Sequence, residues 1–262
     1  MREQRAARWL VRQHLARLAS RPLPRSLAPR DLGEAYRMQA AFCALKSSQC
    51  GPLVGHKVAL TTPQMRALVG LDAPIAGRLH RRQTVAGPGR VRADDYGRLL
   101  IEFEIAFLMA GDLPPEGAPF DRPRVAAAVG AAMPAFELAD DRGADYSTLP
   151  ARGLELAADN AWNEGAVLGA PVAGWRALDL ADVRGVALRN GEPAGEGRGA
   201  DVMGHPLESL RWLANHLARL GQGLRRGDVV IGGSLVTSRF PKAGETWRFD
   251  AGPLGAVELR VD

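Results

Sequence analysis

Cysteine, lysine and long apolar runs are all scarce in this sequence. The two cysteines, Cys43 and Cys50, lack the C-x-x-C spacing of a zinc or redox motif, so they favour neither a disulfide framework nor a zinc site. No apolar run reaches the roughly 18 residues of a membrane span, and no signal-peptide pattern is visible. We therefore expect a cytoplasmic protein that does not enter a membrane.

Motifs of several common enzyme classes are also missing. Gly195, Gly197 and Gly199 lack the preceding strand and following helix of a dinucleotide-binding loop. Ser234 follows two glycines without the G-x-S-x-G context of a nucleophile elbow. The five histidines include no H-x-x-x-H pair. The sequence thus favours neither a dinucleotide cofactor nor a serine triad.

Positive charge is present, but it is concentrated at one end. The chain of 262 residues has a net charge of +5, yet residues 1–30 contain eight arginines against the single acid Glu3, so the rest of the chain is slightly acidic. A targeting peptide, an anion-binding arm and the solvated face of a helix are the alternatives. The apolar spacing of Val11, Leu15 and Leu18 favours the helix. We therefore expect no nucleic-acid partner.

The apolar periodicity and the turn residues predict a mixed α+β fold. A helical N-terminal segment, 1–50, precedes one catalytic-size domain, 51–262. Asn190-Gly191 between two extended runs predicts a β-hairpin and hence an antiparallel component. Residues 72–89 are expected to form a loop. The predicted helices are 1–20, 31–47, 63–69, 121–134 and 206–220, and the predicted strands are 54–60, 99–109, 135–138, 228–232 and 247–261.

Two carboxylates stand at i and i+2 in an otherwise apolar strand. Glu102 and Glu104 must share one face of that strand, because side chains alternate along it. A buried pair of like charges needs a cation or a proton between them, whereas an edge strand would simply turn both towards water. The spacing alone leaves both possibilities open.

Glu137 is a third acid among apolar neighbours. Three glutamates would suit Mg²⁺ or Mn²⁺ rather than zinc, and monodentate binding would leave about three of six positions for water or substrate. The alternative is a salt bridge between Glu137 and Arg142. The three acids therefore predict a candidate catalytic metal site.

Lys57 is unusual in a chain with three lysines and 31 arginines. Lysine can lose its proton and arginine cannot, so a desolvated lysine in the strand 54–60 could act as an acid or base. The alternative is a strand-end lysine that extends to solvent.

Taken together, these segments resemble the 2-keto-4-pentenoate hydratase branch of the fumarylacetoacetate hydrolase superfamily over most of the chain. The matching segments include Gly55-His-Lys-Val-Ala-Leu-Thr-Thr62, Ile101-Glu-Phe-Glu104, Pro134-Ala-Phe-Glu-Leu138, Ala158-Asp-Asn-Ala161, Gly204-His-Pro-Leu207, Arg226-Gly-Asp-Val-Val230 and Gly232-Gly-Ser234.

The resemblance implies a fumarylacetoacetase-like fold, a mixed β-sandwich roll with helices at its rim and an N-terminal helical appendage. It also implies a homo-oligomer and a divalent metal, Mg²⁺ or Mn²⁺, on Glu102, Glu104 and Glu137. Lys57 would be the catalytic acid/base. The substrate-binding candidates are Asn160, Ser234 and Arg239, the last of which could meet a second carboxylate or lie on the surface.

The sequence departs from the family pattern at three places. Ile75 stands where members of the family commonly have an aspartate, Leu79-His80-Arg81-Arg82 stands where they have acidic residues, and Trp162-Asn163-Glu164 replaces small residues. These changes put the far end of the pocket and any proton relay through the missing aspartate in doubt.

The resemblance implies a hydratase that converts a 2-hydroxy-2,4-dienoate, or its 2-oxo-3-enoate tautomer, into a 4-hydroxy-2-oxo acid, as in meta-cleavage of aromatic compounds. A 2-oxo-3-enedioate decarboxylase and an acylpyruvate C–C hydrolase would need the same metal and lysine. A non-catalytic partner subunit is the remaining alternative.

Overall fold

The computed structural model describes residues 1–262, in which six α-helices and twelve β-strands are joined by loops and short 3₁₀ turns. The helices are α1 (Arg2–Leu15), α2 (Leu32–Cys50), α3 (Pro63–Val69), α4 (Arg122–Ala128), α5 (Gly153–Ala158) and α6 (Pro206–Arg219). The strands are β1 (Leu53–Ala59), β2 (Ile75–His80), β3 (Thr84–Ala86), β4 (Gly89–Val91), β5 (Leu99–Met109), β6 (Val129–Asp140), β7 (Asn163–Leu168), β8 (Arg184–Arg189), β9 (Glu192–Arg198), β10 (Val229–Arg239), β11 (Thr246–Asp250) and β12 (Ala256–Val261). None of the helices is both long enough and apolar enough to cross a membrane.

The strands form two mixed sheets. The larger sheet has the order β2-β1-β10-β5-β6-β7-β3, and the smaller has the order β4-β12-β11-β8-β9. Most neighbours are antiparallel, but three pairs run parallel: β1 with β10, β3 with β7, and β4 with β12. The larger sheet curls until β2 contacts β7. This arrangement confirms the predicted α+β fold, a roll combined with a sandwich.

The outer face of the curled sheet packs against the smaller sheet. The Phe103 ring lies 5.5 Å from that of Phe136 on the next strand, and 5.8 and 5.7 Å from those of Trp247 and Phe249 on the smaller sheet, between ring centroids. Truncating a buried Phe such as Phe103 to Ala typically costs about 3–5 kcal/mol. Because side chains alternate along β5, burying Phe103 outward turns its neighbours Glu102 and Glu104 inward.

The inner face of the curled sheet is apolar away from the glutamates. Leu79, Ala106, Met133 and Ile231 are buried there in one small cluster. They close the inside of the roll to water on one side of the acidic residues.

The N-terminal helix does not bury the predicted stripe. Its buried side chains include Ala6, Ala7 and Leu10, which pack in one core with α2, whereas Leu15 is 60% and Leu18 is 45% exposed. The prediction for Leu15 and Leu18 was therefore wrong. Small residues at 6 and 7 let the two helices approach closely, and α1 ends at Leu15 before the predicted stripe is complete.

Segment 1–50 is bonded to the sheet through α2. The Tyr36 hydroxyl accepts a hydrogen bond from Ala76 N (3.0 Å), and Gln39 Nε2 donates to the carbonyls of Ala76 and Ala157, both at 2.8 Å. These bonds join α2 to β2 and to α5. The division into 1–50 and 51–262 stays a prediction, but the two parts share a buried core.

Several predictions made from local sequence signals are confirmed. Thr62 Oγ1 caps α3 by accepting from Met65 N at 3.3 Å, and Gly70 ends that helix in the left-handed conformation. Asn190-Gly191 forms the turn of the β8–β9 hairpin. Cys43 and Cys50 are both free thiols.

Strand predictions failed where residues are small or apolar without alternation. Residues 72–89 contain β2 and β3 rather than a loop, and β7 was not predicted. Helix α4 ends at Ala128, so β6 begins six residues earlier than expected, and β10 extends to Arg239. Alanine favours helix, but pairing of β6 between β5 and β7 overrides that preference.

Candidate metal centre and active site

Three glutamates from two adjacent strands converge inside the roll. Glu102 on β5 pairs directly with Glu137 on β6, and Glu104 lies two residues along the same face. Carboxylate oxygens of all three lie within 4.8 Å of one another. Because β5 is the central strand of its sheet, the alternative in which these acids face water from an edge strand is wrong.

The free oxygens of this cluster fit a cation. Glu104 Oε2 accepts a hydrogen bond from Gly233 N at 2.7 Å, whereas Glu104 Oε1 and Glu137 Oε2 are buried without any partner. Glu102 Oε1 accepts from Ser238 Oγ at 3.0 Å. Buried polar atoms are nearly always satisfied, so the two unpartnered oxygens are donors that a cation could use. Hard carboxylate donors suit Mg²⁺ or Mn²⁺.

Gly233 can bond to Glu104 because it has no side chain. Its φ of +112° lies in the region that favours glycine, and a Cβ there would lie 2.5 Å from Thr61 Cγ2. The Gly-Gly step before Ser234 therefore lets β10 turn its backbone N–H towards the carboxylate.

Lys57 is buried beside the glutamates. Its side chain is 3% exposed, and Nζ lies 2.8 Å from Glu137 Oε1. The solvent-exposed alternative for Lys57 is thus wrong. The salt bridge between Glu137 and Arg142 is also absent, since Arg142 pairs with Asp159 instead.

The charges of this cluster do not balance. Burial and the neighbouring carboxylates raise the pKa of Glu104 well above its usual value, and burial raises that of Glu137 to about 7 although Lys57 opposes the shift. Burial disfavours the Lys57 ammonium, but Glu137 and Glu102 outweigh it and raise its pKa. Three ionised carboxylates with one ammonium leave two negative charges, which a divalent cation would neutralise.

Gly77 on β2 makes room for the lysine. It pairs with Lys57 across the two strands, and a Cβ at Gly77 would lie 2.7 Å from Lys57 Cγ. It would also lie 3.1 Å from the backbone oxygen of Asn160. The position of the lysine stem therefore depends on the absence of a side chain at residue 77.

A left-handed turn precedes β7. Asn160, Ala161 and Trp162 have φ values of 55°, 48° and 61°. For residues other than glycine this conformation costs roughly 1–2 kcal/mol each, somewhat less for Asn. The next residue is Asn163, whose Nδ2 donates to Glu137 Oε1 at 3.0 Å. The turn thus places the Asn163 amide beside the carboxylate of Glu137 in the candidate metal site.

A buried ionic network surrounds this turn. His14 contacts Asp159 through Nε2 (2.6 Å) and Glu164 through Nδ1 (2.7 Å). Lys46 Nζ lies 2.7 Å from Glu164, and Arg142 lies 2.7 Å from Asp159. Burial disfavours the charge on His14, but the two carboxylates prevail and raise its pKa.

The substrate-binding candidates have their polar groups engaged elsewhere. Asn160 Oδ1 accepts from Arg78 N at 2.7 Å, and its Nδ2 donates to Arg78 O at 3.0 Å. Ser234 Oγ accepts from Phe103 N at 2.8 Å. The Arg239 guanidinium donates to backbone carbonyls, among them Ala194 O at 2.6 Å. Their contact with substrate stays a prediction.

Sequence reasoning missed three groups that touch the cluster. They are the Asn163 amide, the Ser238 hydroxyl and the Gly233 N–H. Asn163 falls in the segment noted as a departure from the family pattern, which was the one available signal. Another departure, Ile75, is fully buried, and it lies on the same face as Gly77 because the two are separated by one residue on β2.

Three carboxylates and a buried lysine inside a curled mixed sheet define a class of metal-assisted acid/base enzymes. The family model for the fumarylacetoacetate (FAA) hydrolase C-terminal domain matches residues 67–262, about three quarters of the chain. The chain belongs to this family. The resemblance inferred from the sequence motifs is thereby confirmed.

Curated relatives align along most of the chain. The 2-oxo-hept-4-ene-1,7-dioate hydratase of Escherichia coli is 32% identical over 231 residues, which cover 87% of this chain and 85% of that protein. The 2-keto-4-pentenoate hydratase of Paraburkholderia xenovorans (strain LB400) is 29% identical over 241 residues, covering 92% of this chain and 88% of the relative. Both relatives are hydratases.

A solved structure matches the whole fold. The 4-oxalocrotonate decarboxylase from Pseudomonas putida G7, complexed with magnesium and adipate, superposes with a TM-score of 0.91 at 26% identity. The match covers 99% of this chain and 97% of the decarboxylase, so the N-terminal helices are included.

Proposed function

We propose that the protein is a metal-dependent hydratase, a carbon–oxygen lyase that adds water to a 2-hydroxy-2,4-dienoate to give a 4-hydroxy-2-oxo acid. The observation that carries the proposal is the buried Lys57 ammonium 2.8 Å from Glu137 in a three-glutamate cluster. The hydratase relatives support the same reaction type.

Glu102, Glu104 and Glu137 would hold the divalent cation, Mg²⁺ or Mn²⁺. When bound, the cation supplies positive charge to the carboxylate and 2-oxygen of the substrate and stabilises the negative charge that develops on that oxygen. Glu102 is fixed by Ser238, Glu104 by Gly233 N, and Glu137 by Lys57 and Asn163. The three acids therefore enter the reaction already oriented.

Lys57 would move the proton. The 2-hydroxyl proton of the dienol passes to water as the 2-oxo form appears, and the Lys57 ammonium gives a proton to C5. The resulting amine takes a proton from the water whose hydroxyl adds at C4, and water returns a proton to C3, so the lysine ends as the ammonium. Ile231 and Leu79 exclude bulk water from the inner face beside it. A dry surrounding keeps the proton on the path between Lys57 and substrate.

The inner face around the cluster is largely apolar. It continues with the paired residues Leu100 and Ala139 on one side of the glutamates and with Ala106 and Met133 on the other, all buried. Lys57 is the one cation within 4.0 Å of the three carboxylates. These apolar surroundings suit the hydrocarbon chain of the proposed substrate.

Decarboxylation of a 2-oxo-3-enedioate is the second candidate. The TM-score of 0.91 with a decarboxylase complexed with magnesium and adipate favours this reaction. Loss of CO₂ from such an acid also leaves charge on the 2-oxygen, so the same metal and lysine would serve.

The deciding experiment offers both substrates to the protein with Mg²⁺ or Mn²⁺. We expect the dienol absorbance of 2-hydroxypenta-2,4-dienoate to disappear and 4-hydroxy-2-oxopentanoate to appear by NMR, with Lys57→Met as the inactive control. Release of CO₂ from 2-oxo-3-hexenedioate without hydration of the dienoate would instead establish the decarboxylase. Turnover of neither would overturn the proposed function.

We also propose a homo-oligomer that acts in the cytoplasm. The family resemblance implies the oligomer, and Leu53, Val85 and Phe240 remain 39%, 42% and 45% exposed in one subunit. The two free thiols are compatible with a reducing compartment. Light scattering during size exclusion tests the assembly, and a monomer mass would contradict it.

A further inference from the structure

We propose that His14 and Lys46 are positioning residues for the metal centre: they hold Asp159 and Glu164 at the two ends of the left-handed turn and so fix Asn163 against Glu137. The proposal rests on the metal site put forward above. It assigns the N-terminal helices a part in the chemistry, although they supply no residue to the glutamate cluster.

The turn needs external support because its backbone conformation is unfavourable. Three successive residues other than glycine, Asn160 to Trp162, have positive φ values between 48° and 61°. Such a conformation persists only where the surroundings fix it. Within the turn, the Asn160 side chain bonds to both backbone groups of Arg78, and Trp162 N donates to Asp159 O at 3.0 Å.

The two ends of the turn are held from the N-terminal helices. His14 on α1 lies between Asp159 Oδ1 at 2.6 Å and Glu164 Oε1 at 2.7 Å, so one ring joins the residue before the turn to a residue after it. The ring is 8% exposed and packs on Phe42, with 5.0 Å between centroids. An imidazolium, with an N–H on each nitrogen, satisfies both carboxylates.

Lys46 on α2 strengthens the second end. Its Nζ lies 2.7 Å from both oxygens of Glu164, and Gln83 Nε2 donates to Glu164 Oε2 at 2.8 Å. At the first end, Arg142 contacts Asp159 Oδ2 and also approaches the His14 ring, with NH1 2.7 Å from Nε2. Three cationic groups thus surround two carboxylates.

The network reaches the metal site through one residue. Asn163 lies between the turn and Glu164, and its Nδ2 bonds to Glu137 Oε1 at 3.0 Å, the same oxygen that contacts Lys57. If the turn relaxes, this amide moves away from the carboxylate, and Glu137 loses one of the two groups that orient it. Groups that orient metal ligands typically affect metal affinity or activity by about 10–100-fold.

The test measures Mn²⁺ affinity by calorimetry in His14→Leu, Lys46→Met and Asn163→Ala. We expect each variant to raise the Mn²⁺ Kd about tenfold and to lower kcat more than it changes KM. Lys46→Arg should recover affinity to within about threefold, since it keeps the charge and donors. Arg2→Met is the matched control, because it removes an α1 ion pair to Glu34 that lies away from the turn; its Kd should stay unchanged.

A double-mutant cycle tests whether the effect passes through Asn163. In the Asn163→Ala background, His14→Leu should weaken Mn²⁺ binding less than twofold further. Additive effects would overturn the proposal, as would Kd values within twofold of the parent protein in both His14→Leu and Lys46→Met. If Glu137→Gln leaves Mn²⁺ binding unchanged, the metal site itself is wrong, and the positioning role falls with it.

A measurement on the metal-free protein distinguishes loosening of the turn from unfolding of the whole variant. Amide hydrogen exchange of residues 159–165 should accelerate in His14→Leu and Lys46→Met but not in Arg2→Met, while exchange in β5 and β10 stays slow. Unchanged exchange in the turn would overturn the proposed support.

Discussion

Glu102 on β5 lies directly opposite Glu137 on β6, in one register pair of two antiparallel strands. Like charges at such a pair destabilise a sheet, and here Glu104 adds a third carboxylate within 4.8 Å. Only Lys57 offsets them. The fold therefore maintains an electrostatic conflict that a bound divalent cation would relieve, at the place where the proposed substrate must chelate.

Removal of the metal should lower stability measurably. A ligand at 100 times its Kd stabilises the folded state by about 2.7 kcal/mol, which for a chain of this size raises Tm by roughly 5–10 °C. We expect Mg²⁺ or Mn²⁺ to raise Tm in this range and EDTA to reverse it, as measured by calorimetry.

Glu104→Gln should abolish this stabilisation and leave the metal-free protein at least as stable as the parent. The substitution replaces a buried carboxyl group, whose ionised form burial disfavours, while keeping an oxygen for the bond from Gly233 N. Glu116→Gln, at an acid without an ion pair on the 3₁₀ turn Pro115–Gly117, is the control and should keep the shift. An undiminished metal-induced shift in Glu104→Gln would contradict the three-carboxylate site.

The candidate residues of the glutamate cluster were predictable because their signals are local. Two glutamates at i and i+2 in an apolar strand must share a face, Glu137 is an acid among apolar neighbours, and a lysine in a chain that otherwise uses arginine is conspicuous. The pairing of β5 with β6 and of β1 with β10, which brings Glu137 and Lys57 to the same place, is non-local and was not predicted.

Lys57→Met should separate metal binding from turnover. Removing the ammonium takes a competing positive charge from the cluster, so the affinity for Mn²⁺ should stay the same or increase. The rate should fall by about 10²–10⁴-fold, the usual contribution of a positioned acid/base. Calorimetry and steady-state kinetics on one preparation check both parts. An active Lys57→Met enzyme would place the base elsewhere.

Gly77→Ala should reduce the rate without changing the metal ligands. The added Cβ would lie 2.7 Å from Lys57 Cγ, so the lysine stem must shift from its position beside Glu137 or the strands must separate. We expect kcat to fall at least about tenfold while the Mn²⁺ Kd changes less than threefold. Gly174→Ala, where nothing lies within 4 Å, is the matched control. Equal rates in the two variants would show that the position of Lys57 does not depend on Gly77.

The network around the turn was not predictable from the sequence. His14 and Glu164 are 150 residues apart, and neither belongs to a motif. The apolar stripe of α1 suggested that Leu15 and Leu18 were buried, whereas the helix buries Ala6, Ala7 and Leu10 and turns His14 inward. Contacts of this kind depend on how α1 docks, which helical periodicity alone does not determine.

The contact between Lys46 and Glu164 should affect how the free energy of unfolding depends on pH in the acid range. Burial opposes the charge on Glu164, but Lys46 and His14 prevail and lower its pKa from 4.5 to about 2. Between these values the unfolded chain binds a proton that the folded protein does not, so stability is present above pH 4.5 and is lost as the pH falls towards 2. A shift of this size corresponds to about 3 kcal/mol.

In Lys46→Met the lowering of the Glu164 pKa should shrink. The free energy of unfolding in urea should therefore be higher for the parent than for the variant, by an amount that is largest near pH 6 and declines towards pH 3. The control is Lys242→Met, at an exposed lysine without an ion pair, which should show no such decline. If the difference for Lys46→Met did not depend on pH, the lysine would stabilise the fold by packing alone.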